Sequence, residues 1–119
     1  MFASHNKINN LIGIIDYNGQ QIDGPVDKIN SLLNLEEKFK SFGWNTFLCD
    51  GHNFENLLKT FDDAKKRLKD NKPVLVIMKT IMGKGVDFME NSHKWHGIAP
   101  DDDQLKKALS QLDETLGDY

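Results

Sequence analysis

The 119 residues, 39% hydrophobic and 28% charged, suit one globular domain able to bury roughly two-thirds of its unfolded surface, and argue against wholesale disorder. A formal net charge of −3 argues against nucleic acid or an anionic membrane surface as the main partner, because both are held largely through an excess of Lys and Arg. No apolar run approaches the ~20 residues that span a bilayer, the first residues lack signal-peptide character, and the single cysteine, Cys49, cannot form an internal disulfide, which fits the cytosol.

The first predicted element is a strand over residues 11–16. Its run of Leu11, Ile12, Gly13, Ile14 and Ile15 has no polar alternation, which suits a strand covered on both faces in a parallel sheet. Asn34 opens a helix: its side chain caps while Glu37 reaches back, Leu35, Phe39 and Phe42 share a face, and Gly43 ends it. A second strand covers residues 44–49. The next helix starts near Asn53 and repeats Phe54, Leu57, Leu58, Phe61, Ala64 and Leu68 at helical spacing, with Lys and Asp opposite. The Asp70-Asn71-Lys72 turn ends it before Pro73, which can open a strand but disrupts a helix interior. The third strand, residues 73–80, contains the run from Val74 to Met78. A last helix runs from Asp101 or Asp102 to about Leu116, with Leu105, Ala108, Leu109, Leu112 and Leu116 on one face and three Asp residues beside its positive N-terminal end. Right-handed crossovers then give an α/β fold: a three-layer parallel sheet in βαβαβ order plus a terminal helix.

Residues 17–33 and 81–100 resist this pattern. Both follow strands and leave the same edge of a parallel sheet, where ligands bind, so they are expected to converge on a site. In the first, Asn18 offers a neutral amide oxygen and the turn at Gly19 aims the carbonyl of Gln20 the same way, hard donors that suit Mg²⁺ or Ca²⁺. The same residues also read as a turn chosen for its backbone angles. In the second, Met82-Gly83-Lys84-Gly85 lets backbone amides approach an anion, and His96, next to Gly97, is a candidate for proton exchange. A zinc site from Cys49, His52, His93 and His96 has permissible spacing, although Cys49 is more simply a small core residue. His5 and the Lys65-Lys66-Arg67 run read as solvated surface.

Taken together, residues 10–12 and 16–25, Phe42-Gly43-Trp44, Thr80-Ile81-Met82-Gly83-Lys84-Gly85, then His93-Lys94-Trp95-His96-Gly97 and Pro100, closely resemble transketolase over nearly the whole chain. The detail is most similar to the N-terminal subunit of the split, two-gene enzymes. The resemblance implies a thiamin diphosphate-binding fold and a thiamine diphosphate enzyme of carbohydrate metabolism that moves a two-carbon ketol unit from a ketose phosphate to an aldose phosphate. It implies that Asn18 is the side-chain ligand, and Gln20 the backbone-carbonyl ligand, of the Mg²⁺ bridging the cofactor's diphosphate. Ile22 and Met82 match apolar positions packed against the cofactor. His96 matches a histidine beside the diphosphate and substrate oxygens, where it would donate hydrogen bonds or assist proton transfer, and His93 matches less well. The family's catalytic glutamate lies in a pyrimidine-binding domain that this chain lacks, so a second subunit is implied as partner.

The family also carries a Gly-Asp-Gly motif roughly thirty residues before the asparagine, whose aspartate is the one anionic ligand to the metal, and this sequence has none. Residues 1–119 therefore resemble the second half of the cofactor domain, with Met1 aligned inside the helix that follows the motif. Mg²⁺ prefers about six oxygen ligands, and two neutral protein donors are too few. The isolated chain is expected neither to bind cofactor and metal appreciably nor to turn over sugar phosphates. The missing strand is expected to leave an exposed edge near residues 11–16, favouring a homo-oligomer, strand exchange or dependence on another polypeptide. A non-catalytic α/β association module is the alternative. The central geometric expectation is that the amide of Asn18 and the imidazole of His96 border one cavity.

Overall fold

The computed structural model describes residues 1–113 and divides into two units, Met1–Asn18 with Ser31–Thr80, and Gly19–Asn30 with the chain from Ile81 onward. In chain order the elements are α1 (Phe2–His5), β1 (Ile12–Tyr17), β2 (Gln20–Gln21), β3 (Gly24–Pro25), α2 (Val26–Ile29), α3 (Leu35–Ser41), β4 (Asn45–Asp50), α4 (Phe54–Arg67), a 3₁₀ turn (Leu68–Asp70), β5 (Val74–Lys79), a second 3₁₀ turn (His93–His96) and α5 (Asp102–Leu109). Among the described residues no helix is long and apolar enough to cross a membrane.

The first unit is a three-stranded parallel sheet in the order β1-β5-β4. The strand last in sequence is central, so Val74, Leu75, Val76 and Ile77 are each 3% exposed or less. Each such side chain contributes roughly 1.5–3 kcal/mol of burial free energy. Ile12, Phe47, Cys49, Val74, Val76 and Met78 share one face, on which Leu57, Phe61, Ala64 and Leu68 pack. The register puts Gly13, Leu75, Ile77 and Leu48 on the other face. There α3 is held by the Thr46 hydroxyl donating to Glu36 at 3.3 Å and by Phe39 meeting Trp44 edge-on at 5.5 Å. Helix, sheet and helix make the three expected layers.

The continuous apolar run of β1 does not mean burial on both sides. β1 takes an edge of the sheet and Ile14 is 52% exposed, because α4 covers the strands beside it. Strand boundaries move by one residue: β1 and β4 each extend one further, to Tyr17 and Asp50, where backbone pairing with Lys79 continues past the apolar run. α3 has the expected cap, Asn34 accepting from the Glu37 amide at 3.1 Å, but the Glu37 carboxylate accepts from Lys40. In α4, capped by Asn53, the apolar stripe is wider than the sheet it meets, leaving Phe54 83% and Leu58 68% exposed. Asn71, left-handed at φ 54, ends that helical segment.

In the second unit, residues expected to be loop form a two-stranded hairpin, β2 against β3, followed by α2. Val26, buried, donates its amide to the Gly19 carbonyl at 2.9 Å. α5 starts at Asp101 with a full capping box through Gln104, but stops at Leu109 well before Leu116, which lies outside the described residues. Among the described residues of its predicted apolar face only Ala108 is buried, whereas Leu105, Leu109 and Leu112 are 46–61% exposed.

Candidate functional site

The carboxyl edge of the parallel sheet ends in a row of polar groups. Tyr17, Lys79 and Asp50 stand in register at the strand ends, and Asn18 follows Tyr17 directly. The Thr80 hydroxyl donates to the Asp16 carboxylate, and the Thr80 amide donates to the Tyr17 carbonyl at 3.3 Å, fixing the exit of β5 to the exit of β1. On the β4 side, the Asp50 amide donates to Asn56 and the Asp50 carboxylate accepts from the His52 amide at 2.9 Å. A cleft of about 240 Å³ opens near this edge on the α3 face, lined by residues that include Tyr17, Leu48, Ile77 and Lys79. Asn18 is not among its walls.

Gln20, Ile22, Met82, His93 and His96 lie in the second unit. Gly19, at φ +72, turns the chain between Asn18 and Gln20, and Ile22 sits at the hairpin tip, 70% exposed. Met82 opens a chain of tight turns. Its carbonyl accepts the Asn91 amide at 2.9 Å, and the Val86 amide donates to Gly83 at 3.1 Å. His93 is partly buried and His96 exposed on the second 3₁₀ turn.

The glycines of 82–85 serve this turn geometry. The Lys84 amide donates to Ile81 and the Gly85 amide to the Glu90 carboxylate at 3.1 Å, so neither is held out for a phosphate. Gly83 has φ +71, and a Cβ there would stand 2.6 Å from the Met89 carbonyl carbon and oxygen. Among the described residues no three His, Cys, Asp or Glu side chains are grouped so as to hold a metal ion; of the four residues of the zinc reading, Cys49 and His52 lie in the first unit and His93 and His96 in the second. Cys49 is instead 5% exposed in the core, where burial pushes its thiol above the ordinary range. Sequence reading also missed Asp87. Its carboxylate accepts from Gln111 at 2.9 Å and Lys107 at 3.1 Å, a pairing across twenty residues or more that no local pattern announces. Those hydrogen bonds, from Gln111 and then Lys107, hold its carboxyl below the usual range.

The sequence model of the transketolase thiamine diphosphate-binding domain matches residues 1–115. The chain belongs to the transketolase family. It is 35% identical over 96% of its length to the subunit SqwG of 6-deoxy-6-sulfo-D-fructose transketolase from Clostridium sp. (strain MSTE9). It is 34% identical over 98% of its length to one of the subunits of apulose-4-phosphate transketolase from Phocaeicola vulgatus. In both cases it spans 41% of the relative. Among solved structures, transketolase from Campylobacter jejuni is similar over 92% of this chain and 17% of that one, at 34% identity and a TM-score of 0.82. The family's thiamine diphosphate-binding fold therefore accounts for the parallel sheet and its flanking helices.

Proposed function

We propose that this chain contributes part of the cofactor site of a thiamine diphosphate- and Mg²⁺-dependent transketolase, which moves a two-carbon ketol unit between sugar phosphates together with a partner subunit carrying the pyrimidine-binding domain. The observation that carries the reading is the match of the thiamine diphosphate-binding model across 1–115, spanning both the Asn18-Gly19-Gln20 turn and the His96 segment. The printed names of the two relatives as transketolase subunits support a split enzyme.

The donor set has the right chemistry for the metal. The Asn18 side-chain oxygen and the Gln20 backbone carbonyl are hard oxygen donors, separated by one glycine whose positive φ permits the turn between them. They fit Mg²⁺, and Ca²⁺ by the same chemistry. Both are neutral, so a carboxylate from another segment completes the set. Bound thiamine diphosphate supplies the nucleophilic carbon for ketol transfer. Ile22, exposed at its hairpin tip, and Met82 present apolar surface to the cofactor and exclude water there. His96 donates hydrogen bonds to diphosphate or substrate oxygens or assists proton transfer. The lone buried thiol fits a reducing cytosol.

Titration calorimetry on the isolated chain with Mg²⁺ and thiamine diphosphate is expected to give no micromolar binding. Mixing it with a Gly-Asp-Gly segment and the partner subunit is expected to restore binding and ketol transfer, with Asn18→Ala abolishing both. Micromolar binding by the chain alone would refute the dependence, and an inert completed assembly would refute the assignment.

A second reading, a non-catalytic association module, is favoured by Ile14 on the open β1 edge and by the exposed Phe54 and Leu58. It shares with the first the expectation of self-association or a partner, and a clean monomer by light scattering over a wide concentration range counts against both.

A further inference from the structure

The segment that carries Met82 and His96 is tied at one residue to α5 and the turn just after it. The Asp87 carboxylate accepts from Gln111 Nε2 at 2.9 Å and Lys107 Nζ at 3.1 Å, while the Asp87 amide donates to Gln111 Oε1 at 2.7 Å. One primary amide thus grips both the backbone and the side chain of Asp87, and the two opposed bonds remove rotations that a lone ion pair would leave free. Lys107 also stands 5.0 Å from the centre of the Phe88 ring, within cation–π range. Beneath these polar groups Val86 and Ala108 are buried, and Gly85 leaves no room for a Cβ beside Leu112.

Phe88 carries the constraint onward. Its ring meets Trp95 at 5.3 Å, inclined by 63°, and its carbonyl accepts from Trp95 Nε1 at 2.9 Å. Trp95 immediately precedes His96 in the same 3₁₀ turn, whose first turn is closed by the Trp95 amide donating to Ser92 at 3.2 Å. His96 is itself exposed, so its own packing does not orient it. The rigid anchor available to that turn is the indole beside it.

We propose that Lys107 and Gln111 are positioning residues for His96, acting through Asp87, Phe88 and Trp95. The inference rests on the reading of His96 as a cofactor-site residue only for its functional meaning; the mechanical linkage stands on the contacts. α5 in this view is a strap across the turn series of 81–100, and its exposed Leu105 and Leu109 show that burying a broad apolar face is not what holds it there. Precision of such a site depends on locking its supporting residues, because a displaced imidazole loses hydrogen-bond geometry before the fold loses stability.

The test uses nuclear magnetic resonance on the full 119-residue chain, following exchange of the Trp95 indole N–H and the relaxation of the His96 imidazole carbons. Gln111→Ala and Lys107→Met are expected to speed Trp95 indole exchange by about threefold, the factor suited to losing an exposed charge-assisted contact, and to loosen His96. Lys107→Arg keeps cation and donor and is expected to restore both signals. Lys106→Met, which removes the Asp103 ion pair on the same helix, is expected to change neither. Unmoved Trp95 and His96 signals in Gln111→Ala and Lys107→Met, or an equal change in Lys106→Met, would overturn the proposal. Should Gln111→Ala melt α5, Gln111→Glu keeps the acceptor for the Asp87 amide while opposing two carboxylates, and the same loosening is expected. In the assembly completed with the partner subunit, Lys107→Met is expected to raise the Kd for thiamine diphosphate by the same factor as it loosens His96. An assembly that binds no cofactor refutes the functional reading, and the exchange data still decide the strap.

Discussion

Replacing Gly83 by alanine is the sharpest single test of the structure, with Gly19→Ala as its control. The two glycines share almost the same backbone, φ +71 and φ +72, so a side chain at either meets the same left-handed penalty of about 1–2 kcal/mol. Their surroundings differ. At Gly19 an added Cβ has nothing within 4 Å, whereas at Gly83 it stands 2.6 Å from the Met89 carbonyl carbon and oxygen and 2.7 Å from Met89 Cβ. The carbonyl carbon and oxygen are backbone atoms held by the Met89 amide donating to Val86 at 2.9 Å and by the Asn91 amide donating to Met82, so they cannot rotate away. Relief requires moving the turn, and the cost at Gly83 is expected to reach about 3–5 kcal/mol, the range of severe backbone or packing defects. Urea unfolding followed by circular dichroism and by amide exchange of residues 81–91 measures both variants. Equal losses at the two positions would refute the turn geometry around Met82, and with it the account of these glycines as conformational.

Val76→Ala, at a wholly buried site on β5, is expected to lose about 2 kcal/mol in the same urea assay, while Ile14→Ala on the open edge costs less than about 1 kcal/mol. Asn34→Ala removes the side-chain acceptor of the Glu37 amide and is expected to cost about 1 kcal/mol, seen as faster exchange in the first turn of α3. Because Asp87 binds protons less readily when folded, its contribution is present above the unfolded carboxylate value near ~3.9 and fades as pH falls through the lower folded value; Asp87→Asn should show a shallower acid loss of thermal midpoint. Cys49 has the opposite sign. Its raised thiol contributes fully below the unfolded value near ~8.5 and is lost as pH rises through the folded one, so alkaline unfolding should be steeper than in Cys49→Ala, and thiol reagents should label the native chain slowly.

The alternation of strands and helices, the Asn34 cap, the start of a helix near Asn53, the start of α5 near Asp101 and the core role of Cys49 were all legible in the residues. Each depends on neighbours within a few positions, through hydrogen bonds of a first turn or apolar spacing along one element. The candidate site was legible differently. Asn18, Gln20, Ile22, Met82 and His96 were singled out by their place after strands and by resemblance to a family, and nothing local in the chain states what each one touches.

What the chain alone could not settle was which strand sits in the middle. The runs at residues 11–15 and 74–78 look alike, but β5 lies between β1 and β4, so one is buried on both faces and the other has Ile14 open at an edge. Strand order is a choice among long-range pairings whose local costs are nearly equal, and only the assembled sheet decides it. The same holds for Gly83, whose need for no side chain comes from Met89 folding back on it, and for Asp87, whose partners arrive from α5 and the turn that follows it. Spacing and capping therefore determined the three parallel strands and the helices α3 and α4 to within a residue or two, but neither the end of α5 nor the hairpin and α2 inside the first loop. Burial, the use of the loop amides and the contacts that support His96 came from tertiary structure, because those depend on groups distant in the chain meeting at a particular place.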